Sequence, residues 1–447
     1  MVSVLQKSRY LVVQKNCLRY FRGFEFIYGK INAYKYLSTI SSTSFNRVNN
    51  EIIVLGQSYR ADEMTNITPS ILTKVDRKLH NLTDHPLKIL KDKIHKYMYA
   101  THRTRWGSPV FTMIDDVSPV VTTYQNFDSL LVPSDHTARS KNDNYYINKD
   151  ILLRAHTTAH EQDLLKMGLD AWILTGDVYR RDEIDKSHYP VFHQMEGVRV
   201  FVKHELFQNN QEPVNIFSHD KKATPECQAV HTKEAVKLVE NNLKETLTNL
   251  VEHLCKEKVK TRWVEAYFPF THPSWEMEIR VENDWMELLG CGILQHDILK
   301  NAGAENKIGW AFGIGLERLA MKLFQIPDIR LFWSKDERFL SQFRENKVVQ
   351  FKPFSKYPPT YKDVSFWVSE KYTANNFYEI VRSTAGDIVE KVELIDEFVH
   401  PRTERLSHCY RITYRSMEKT FRDEEVNEIQ DFLRKELHAK LGIELRG

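Results

Sequence analysis

The spacing of apolar residues changes abruptly at Leu316, and the change marks an informative stretch of the chain. From Gly309 to Gly315 small and apolar residues alternate, which predicts a buried strand. Apolar residues then recur at helical spacing as far as Leu323, with Arg318 in the first turn. Glycines let a ligand approach a strand backbone closely, and an arginine at the junction is placed to hold a polyphosphate. The alternative is a glycine-rich core strand beside a surface arginine.

Further helices and strands are predicted from the same two periods. His85 and Pro86 open a helix whose apolar stripe runs to Tyr97. Other elements are expected at strands 110–114 and 119–123, helix 161–167 ending at Gly168, helix 231–258, and strands 262–279 and 285–292. Thr157 and Thr158 are candidate caps for the shorter of these helices. The pattern predicts an antiparallel sheet.

The last hundred residues have a pattern of their own. Strands and helices are predicted in the order βαββαβ, at 363–368, 374–384, 389–399, 407–415, 424–441 and 443–445. This order is that of the ferredoxin-like fold. Small sheets of this type contact RNA in many proteins, but the fold alone leaves a protein partner open.

A charged hairpin is predicted over 176–198. Alternation divides its second half between two faces, with His188, Gln194 and Glu196 on one and His193 and Met195 on the other. The apolar neighbours predict burial, and buried polar groups need partners. We therefore expect the floor of a ligand site here rather than a solvated edge.

Histidines and aromatic residues supply further candidates. His156 and His160 have no carboxylate or thiol at ligand spacing, so hydrogen bonding in a cleft is expected rather than metal binding. Phe268 and Phe270 are two residues apart, which predicts that they share one strand face. That face belongs either to the core or to a pocket.

Composition adds modest constraints. The chain has 447 residues, 42% hydrophobic and 28% charged, with a formal net charge of +3, which describes an ordinary globular protein and permits an RNA partner without requiring one. No apolar run is long enough to span a membrane. Five scattered cysteines predict free thiols rather than a zinc site or a disulfide framework.

The N-terminal segment, residues 1–46, is rich in Lys, Arg and Ser and contains one acidic residue, Glu25. This composition is typical of a mitochondrial transit peptide. A basic RNA-binding arm is the alternative. The near-absence of acids among apolar residues favours import.

With these residues assembled, the chain resembles the class II aminoacyl-tRNA synthetases, and among them the single-chain mitochondrial enzymes specific for phenylalanine. The resemblance covers nearly all of 85–447. The region ending at Pro119 resembles motif 1, Tyr179 to Glu196 resembles motif 2, and the glycine-rich strand with Arg318 resembles motif 3. It implies an α+β fold in which helices flank the antiparallel sheet, with a catalytic domain over 47–344, a linker over 345–352 and a ferredoxin-fold anticodon-binding domain over 353–447.

The resemblance also implies a reaction and its substrates. Phenylalanine would be activated by ATP with Mg²⁺ and transferred to tRNA(Phe), by a monomer in the mitochondrial matrix. Arg180 would bridge the α-phosphate and the amino-acid carboxylate, His188 would contact the outer phosphates, and Arg318 would bind the γ-phosphate. No general base is needed for this step, because fixed cations stabilise the charge that develops at the phosphorus.

The same resemblance assigns the amino-acid pocket. His156, Thr158, Gln194 and Glu196 would surround the α-amino and carboxylate groups, Phe268 and Phe270 would stack on the ring, and Ala311 would set the pocket depth. Glu287 would hold the Mg²⁺ and line the site with Phe312. The remaining implied substrate contacts are Thr157, Ala159, His160, Asp182, Lys186, Ser187, His193 and Met195.

Three departures from the family pattern matter. Asp182 stands where many class II enzymes have Glu, Thr137 replaces a frequent Pro, and no separate editing region fits in this length. A synthetase for another amino acid and an inactive RNA-binding paralogue remain alternatives. The presence of Arg180, His188, Glu196 and Arg318 disfavours the inactive paralogue.

Overall fold

The structure, a computed structural model, describes residues 44–446 apart from 47–49, 208–214, 219–221, 257, 282–283, 345–346, 354–356 and 417–418. Most of the predicted transit peptide and part of the predicted linker therefore lie outside the described residues. The chain divides into two compact units. One contains Arg60–Lys356 and Thr373–Tyr378, and the other contains the described residues up to Tyr59, Tyr357–Tyr372 and the chain from Glu379.

Short strands open the described chain. A three-stranded sheet is formed by β1 (Ser44–Asn46), β2 (Glu51–Val54) and β3 (Gln57–Arg60). The next ten strands are β4 (Thr112–Ile114), β5 (Val120–Thr122), β6 (Tyr146–Asn148), β7 (Ile151–Leu153), β8 (Ala171–Tyr179), β9 (Val191–Phe201), β10 (Thr261–Phe268), β11 (Thr271–Val281), β12 (Asp284–Leu294) and β13 (Ile308–Gly315).

The larger unit is organised around a seven-stranded sheet in the order β10-β11-β12-β13-β9-β8-β4. Its pairings are antiparallel except at the edge, where β4 runs parallel to β8. A smaller sheet, β5-β7-β6, lies in the same unit. The predicted antiparallel sheet is confirmed, with this one parallel edge strand.

The helices of this unit are α1 (Pro69–Leu72), α2 (Pro86–Thr101), α3 (Thr123–Asn126), α4 (Glu161–Lys166), α5 (Lys203–Leu206), α6 (Lys233–Cys255), α7 (His296–Asn301), α8 (Leu316–Phe324) and α9 (Glu337–Leu340). Helix α6 buries one apolar face, and its Asn242 accepts a hydrogen bond from the Trp310 indole on β13 at 2.9 Å. Helix α6 therefore covers the sheet face that carries Trp310.

The C-terminal elements are β14 (Thr360–Trp367), α10 (Ala374–Ala385), β15 (Val389–Val399), β16 (Leu406–Tyr414), α11 (Asp423–Leu441) and β17 (Glu444–Arg446). The four strands form an antiparallel sheet in the order β15-β16-β14-β17. This is the predicted ferredoxin-like arrangement, in which two helices connect the strands of a split β-α-β unit.

Local differences from the predictions have physical causes. No side chain caps α4, because Thr157 and Thr158 lie in a separate 3-10 turn and His160 occupies the cap position; the Thr157 hydroxyl donates to Glu196 on the sheet. His188 lies in the loop before β9, so strand alternation does not place it on the face of Gln194. Among the described residues, Cys227, Cys291 and Cys409 are free thiols. Within the described part of the chain, no helix is both long and apolar enough to cross a membrane.

Candidate functional site

The floor of the candidate site consists largely of backbone. Glycines recur on one face of neighbouring strands, because Gly290 on β12 pairs with Gly313 on β13, and Gly292 pairs with Ala311. A Cβ added at Gly290 would lie 2.8 Å from the Phe268 ring, and one added at Gly313 would lie 2.5 Å from the Gln194 amide. The glycines are therefore needed for side chains to lie flat over the sheet. We call this surface the glycine floor.

Polar side chains border the glycine floor on the β9 side. Gln194 and Glu196 pair with Gly315 and Gly313 and so share their face. The Thr157 hydroxyl donates to Glu196 Oε2 at 2.9 Å, and the Thr157 backbone N–H donates to Gln194 Oε1 at 3.4 Å. The turn at Thr157–His160 thus brings Thr157 and Thr158 against these two residues, and Ala159 is buried in the same turn.

Aromatic rings form the opposite wall. The Phe268 and Phe270 rings stack with centroids 5.8 Å apart, and the His156 ring lies 6.3 Å from that of Phe270. Phe270 also packs against the core cluster that contains Ala311. The prediction that Phe268 and Phe270 share one strand face is wrong, because β10 ends at Phe268 and Phe270 lies in the turn before β11. The turn, rather than a shared strand face, brings the two rings together.

A β-bulge aims Glu287 at this site. Glu278 pairs with Glu287 and Glu276 with Gly290, so β12 has one extra residue, Leu288, between the two pairs. Simple alternation would turn Glu287 away from the face of Gly290, and the extra residue restores it to that face. The charges of Glu287 and Glu278 add to burial in raising the pKa of Glu276, which places the three carboxyl groups near one another.

Arg318 and Arg180 are the candidate phosphate-binding cations. The Arg318 Nη1 donates to the Glu287 carbonyl at 3.2 Å and lies 3.6 Å from its carboxylate, and both side chains remain exposed. Arg180 follows β8, donates through Nε to the Ala155 carbonyl at 2.8 Å, and is also solvent-accessible. Each guanidinium therefore keeps donors available for a ligand.

The loop between β8 and β9 carries the remaining polar candidates. Lys186 and Ser187 are exposed and Asp182 is partly exposed. His188 Nδ1 lies 2.8 Å from Asp185 Oδ2, and the hydrogen bond to Asp185 raises the pKa of the imidazole. The His188 imidazole is therefore held as a cation to higher pH than an isolated histidine.

Three predicted substrate contacts have side chains elsewhere. His193, Met195 and Phe312 are buried, and alternation along β9 and β13 turns them to the face opposite Gln194, Glu196 and Ala311. Their side chains do not line the glycine floor. Only the main-chain atoms of these three residues could contact a substrate on the glycine floor.

His193 has a clear structural partner. Its Nδ1 lies 2.6 Å from Glu317 Oε1, and its backbone N–H donates to both oxygens of that carboxylate at 3.0 and 2.8 Å. Glu317 precedes Arg318 in α8. These contacts therefore fix the start of α8 to β9 on the sheet face opposite the glycine floor.

The His160 side chain is also committed to a structural contact. Its Nε2 lies 2.9 Å from Arg154 Nη1, and Arg154 forms a buried ion pair with Asp177 at 2.8 Å. Burial and the nearby arginine lower the pKa of His160 to about 3, so the imidazole is neutral. Burial and Arg180 lower the pKa of His156 to about 3 as well.

Sequence reasoning missed several groups around the site. Glu161 faces Glu196 from the first turn of α4, and burial together with the neighbouring charge raises its pKa well above the usual range. Glu276 lies near Glu287, and Glu317 anchors α8. The available signal was a charged residue at a position that periodicity assigns to a buried face, as at Glu161 and Glu317.

Comparisons with known proteins identify the family of this chain. Residues 72–219 and 206–343 match the family described as tRNA synthetases class II core domain (F), and residues 355–446 match the ferredoxin-fold anticodon binding domain. The mitochondrial phenylalanine–tRNA ligase of Mus musculus is 53% identical over 88% of each chain. That of Rattus norvegicus is 51% identical over 88% of this chain and 89% of its own. A probable mitochondrial phenylalanine–tRNA ligase of Drosophila melanogaster is 48% identical over 85% and 89%. The chain therefore belongs to the class II aminoacyl-tRNA synthetases, in the family of the mitochondrial phenylalanine–tRNA ligases.

Proposed function

We propose that this protein activates phenylalanine with ATP and transfers it to tRNA(Phe) for translation in the mitochondrial matrix. The observation that carries the proposal is the glycine floor, bordered by carboxylate and amide side chains on one side and stacked phenylalanine rings on the other. This combination suits a molecule with an ammonium group at one end and an aromatic ring at the other. Membership of the family supplies the reaction type.

The amino acid would be held at both ends. Glu196 and Gln194 would accept hydrogen bonds from the α-ammonium group, with His156, Thr157 and Thr158 beside them. The substrate ring would pack on Phe268 and Phe270 with edge-to-face or offset geometry, which aromatic pairs prefer. Ala311, on the floor, would limit the depth of the pocket.

Activation would proceed by displacement at phosphorus. A carboxylate oxygen of phenylalanine attacks the α-phosphorus of ATP, the bond to the bridging β-phosphate oxygen breaks, and pyrophosphate leaves. Arg180 would hold the α-phosphate and the attacking carboxylate, whereas Arg318 and protonated His188 would hold the outer phosphates. Because no proton must be removed from a carboxylate, positioning and positive charge are sufficient.

Glu287 and Glu276 fit a Mg²⁺ site that would serve the phosphates. Carboxylate oxygens are hard ligands of the kind that Mg²⁺ prefers, usually one or two together with phosphate oxygens and water. The raised pKa of Glu276 beside Glu287 and Glu278 shows that acidic charge is concentrated here. When bound, the metal would neutralise phosphate charge.

The remaining proposals concern organisation. The catalytic domain would span 47–344 and the anticodon-binding domain 353–447, joined by a linker over 345–352. Residues 1–46 would direct import, and the enzyme would act as a monomer. The ferredoxin-fold domain would contact the tRNA, since its matched family is named for anticodon binding.

ATP–pyrophosphate exchange with a panel of amino acids tests the proposed activity. Exchange that depends on phenylalanine is expected, and exchange with another amino acid alone would refute the assignment. R318A and R180A should each abolish exchange. Absence of exchange with every amino acid, in a protein that still binds tRNA, would favour the RNA-binding alternative.

Removing the residues beyond Val349 separates activation from transfer. Exchange should persist, because the proposed activation site lies entirely in the larger unit, whereas tRNA charging should be lost. Intact charging would instead indicate that the C-terminal unit contacts something other than the tRNA.

A further inference from the structure

Two carboxyl groups meet beneath the site that we assign to the α-ammonium group. Glu161 is the first residue of α4 and is 1% exposed, and Glu196 on β9 is 2% exposed. The side chains lie within hydrogen-bonding reach of each other. Binding of the substrate ammonium group by Glu196 requires one carboxylate. It does not explain why a second buried acid, Glu161, lies against it.

The hydrogen bonds around the pair are incomplete unless it holds a proton. The Thr157 hydroxyl donates to Glu196 Oε2 at 2.9 Å, and the Thr158 side chain also hydrogen-bonds the Glu196 carboxylate. Among the described residues, no donor reaches Glu196 Oε1 or either carboxylate oxygen of Glu161. Two ionised carboxylates only accept hydrogen bonds, so they cannot bond to each other. One shared proton converts the contact into a donor–acceptor pair and satisfies oxygens that are otherwise costly to bury.

The surrounding charges do not compensate two negative charges. Arg154, the residue that follows β7, lowers the pKa of Glu196 by its positive charge. Its guanidinium, however, is already bonded to Asp177 and His160. The neighbouring imidazoles of His156 and His160 are neutral, with their pKa lowered to about 3. Arg180, which acts on His156, is exposed and bonded to the Ala155 carbonyl.

The residues that pair with Glu196 across the sheet are uncharged. Its direct partners in the sheet are Leu174 on β8 and Gly313 on β13. Like charges buried at hydrogen-bonding distance do not both ionise near neutral pH, as in other carboxyl pairs that share a proton.

We propose that Glu161 is a protonated carboxylic acid at neutral pH that donates a hydrogen bond to the Glu196 carboxylate and thereby positions it for the substrate ammonium group. The pair then presents one negative charge to one positive charge. Glu161 acts through Glu196 and is a positioning residue. The ammonium part of this inference rests on the proposed function, whereas the shared proton does not.

The direction of the pH dependence follows from the same arrangement. Burial raises the pKa of Glu196 to about 7 and raises the pKa of Glu161 well above its usual range. The ammonium group binds the ionised form of Glu196, so binding weakens as the pH falls below about 7. Under those conditions, binding of phenylalanine releases a proton from the pair.

Kinetics of three variants test the role of the Glu161 proton. The quantity measured is kcat/KM for phenylalanine in pyrophosphate exchange between pH 5.5 and 9. The acidic limb of the profile is the fall in kcat/KM toward low pH. Glutamine retains a neutral donor, so this limb should lie at the same pH in E161Q as in the unaltered protein. Leucine has similar volume and no donor, so E161L should move the limb to higher pH and raise the KM at neutral pH by roughly tenfold or more. E245Q, at an exposed glutamate of α6, is the control and should match the unaltered protein.

Two kinetic outcomes would overturn the proposal. If Glu161 were ionised, E161Q would move the limb to lower pH and raise the KM, because it would remove both a repulsion and an attractive charge. If Glu161 only filled space, E161L would behave as E161Q does. Thermal unfolding of each variant identifies an effect of misfolding.

Infrared difference spectroscopy tests the proton without relying on catalysis. The carbonyl stretch of a buried protonated carboxyl should be present at pH 8 in the unaltered protein and E245Q, and absent in E161Q. Absence of that band in the unaltered protein would refute the shared proton even if exchange is normal. A band present in a protein that activates no amino acid would instead refute the proposed function and leave the proton pair standing.

Discussion

A methyl group added at Gly197 should damage the protein through one identifiable contact. Gly197 on β9 pairs directly with Phe312 on β13, and the Phe312 ring lies over the space that a side chain at Gly197 would fill. An ideal Cβ at Gly197 would lie 2.2 Å from Cε1 and 2.6 Å from Cζ of that ring. Carbon atoms in favourable contact are about 3.5–4.0 Å apart, so the ring must move by more than an ångström.

The ring has little room for that movement. Phe312 is buried, and its ring centroid is 6.0 Å from that of Trp310, which is itself bonded to α6. Overpacking of this kind costs about 1–3 kcal/mol. We therefore expect G197A to lower the free energy of unfolding by that amount in urea denaturation.

A double-mutant cycle isolates the contact. F312L removes the ring atoms that clash, so the G197A/F312L protein should be more stable than the sum of the single changes predicts, by about 0.5–3 kcal/mol. G315A is the matched control, because nothing lies within 4 Å of its added Cβ. Additive effects in the cycle would show that the clash with the Phe312 ring is not what destabilises G197A. Equal losses of unfolding free energy in G197A and G315A would lead to the same conclusion.

Four further outcomes are expected. A311G should admit para-halogenated phenylalanine in pyrophosphate exchange, and continued exclusion would show that Ala311 is not at the para position of the ring. D185N should remove the hydrogen bond that raises the pKa of His188, so the KM for ATP should begin to rise at lower pH than in the unaltered protein. E317Q should lower the free energy of unfolding by about 1–3 kcal/mol in urea, because an amide cannot accept all the donors of His193, and unchanged stability would contradict that arrangement. Tyrosine should support exchange at about a hundredth of the efficiency of phenylalanine, since an apolar pocket rejects a hydroxyl weakly, and a far lower ratio would contradict an unaided apolar pocket.

Much of the fold follows from periodicity within the sequence. The change of period at Leu316 correctly predicted where β13 ends and α8 begins, and alternation correctly separated Gln194 from His193. These are local properties, because strand and helix geometry determine which neighbours share a face. The order of elements likewise predicted the ferredoxin-like unit.

The parts that could not be predicted depend on pairing between distant segments. The sequence does not reveal that Leu288 is an extra residue in the strand pairing, yet this bulge determines the face to which Glu287 points. Glu161 and Glu196 are far apart in the chain, and only the approach of α4 to β9 brings their carboxyl groups together. Residue roles taken from a resemblance did not separate side-chain contacts from residues such as Phe312, whose side chain lies on the opposite face.

The glycine floor has a consequence for how specificity can change. Because Gly290 and Gly313 leave no room for a side chain beneath Phe268 and Gln194, most substitutions in the floor displace a wall of the pocket rather than reshape it slightly. Gradual adaptation to a different amino acid is therefore confined to a few positions, with Ala311 foremost among them. A pocket built on backbone is well defined, but it offers evolution and protein engineers few small steps.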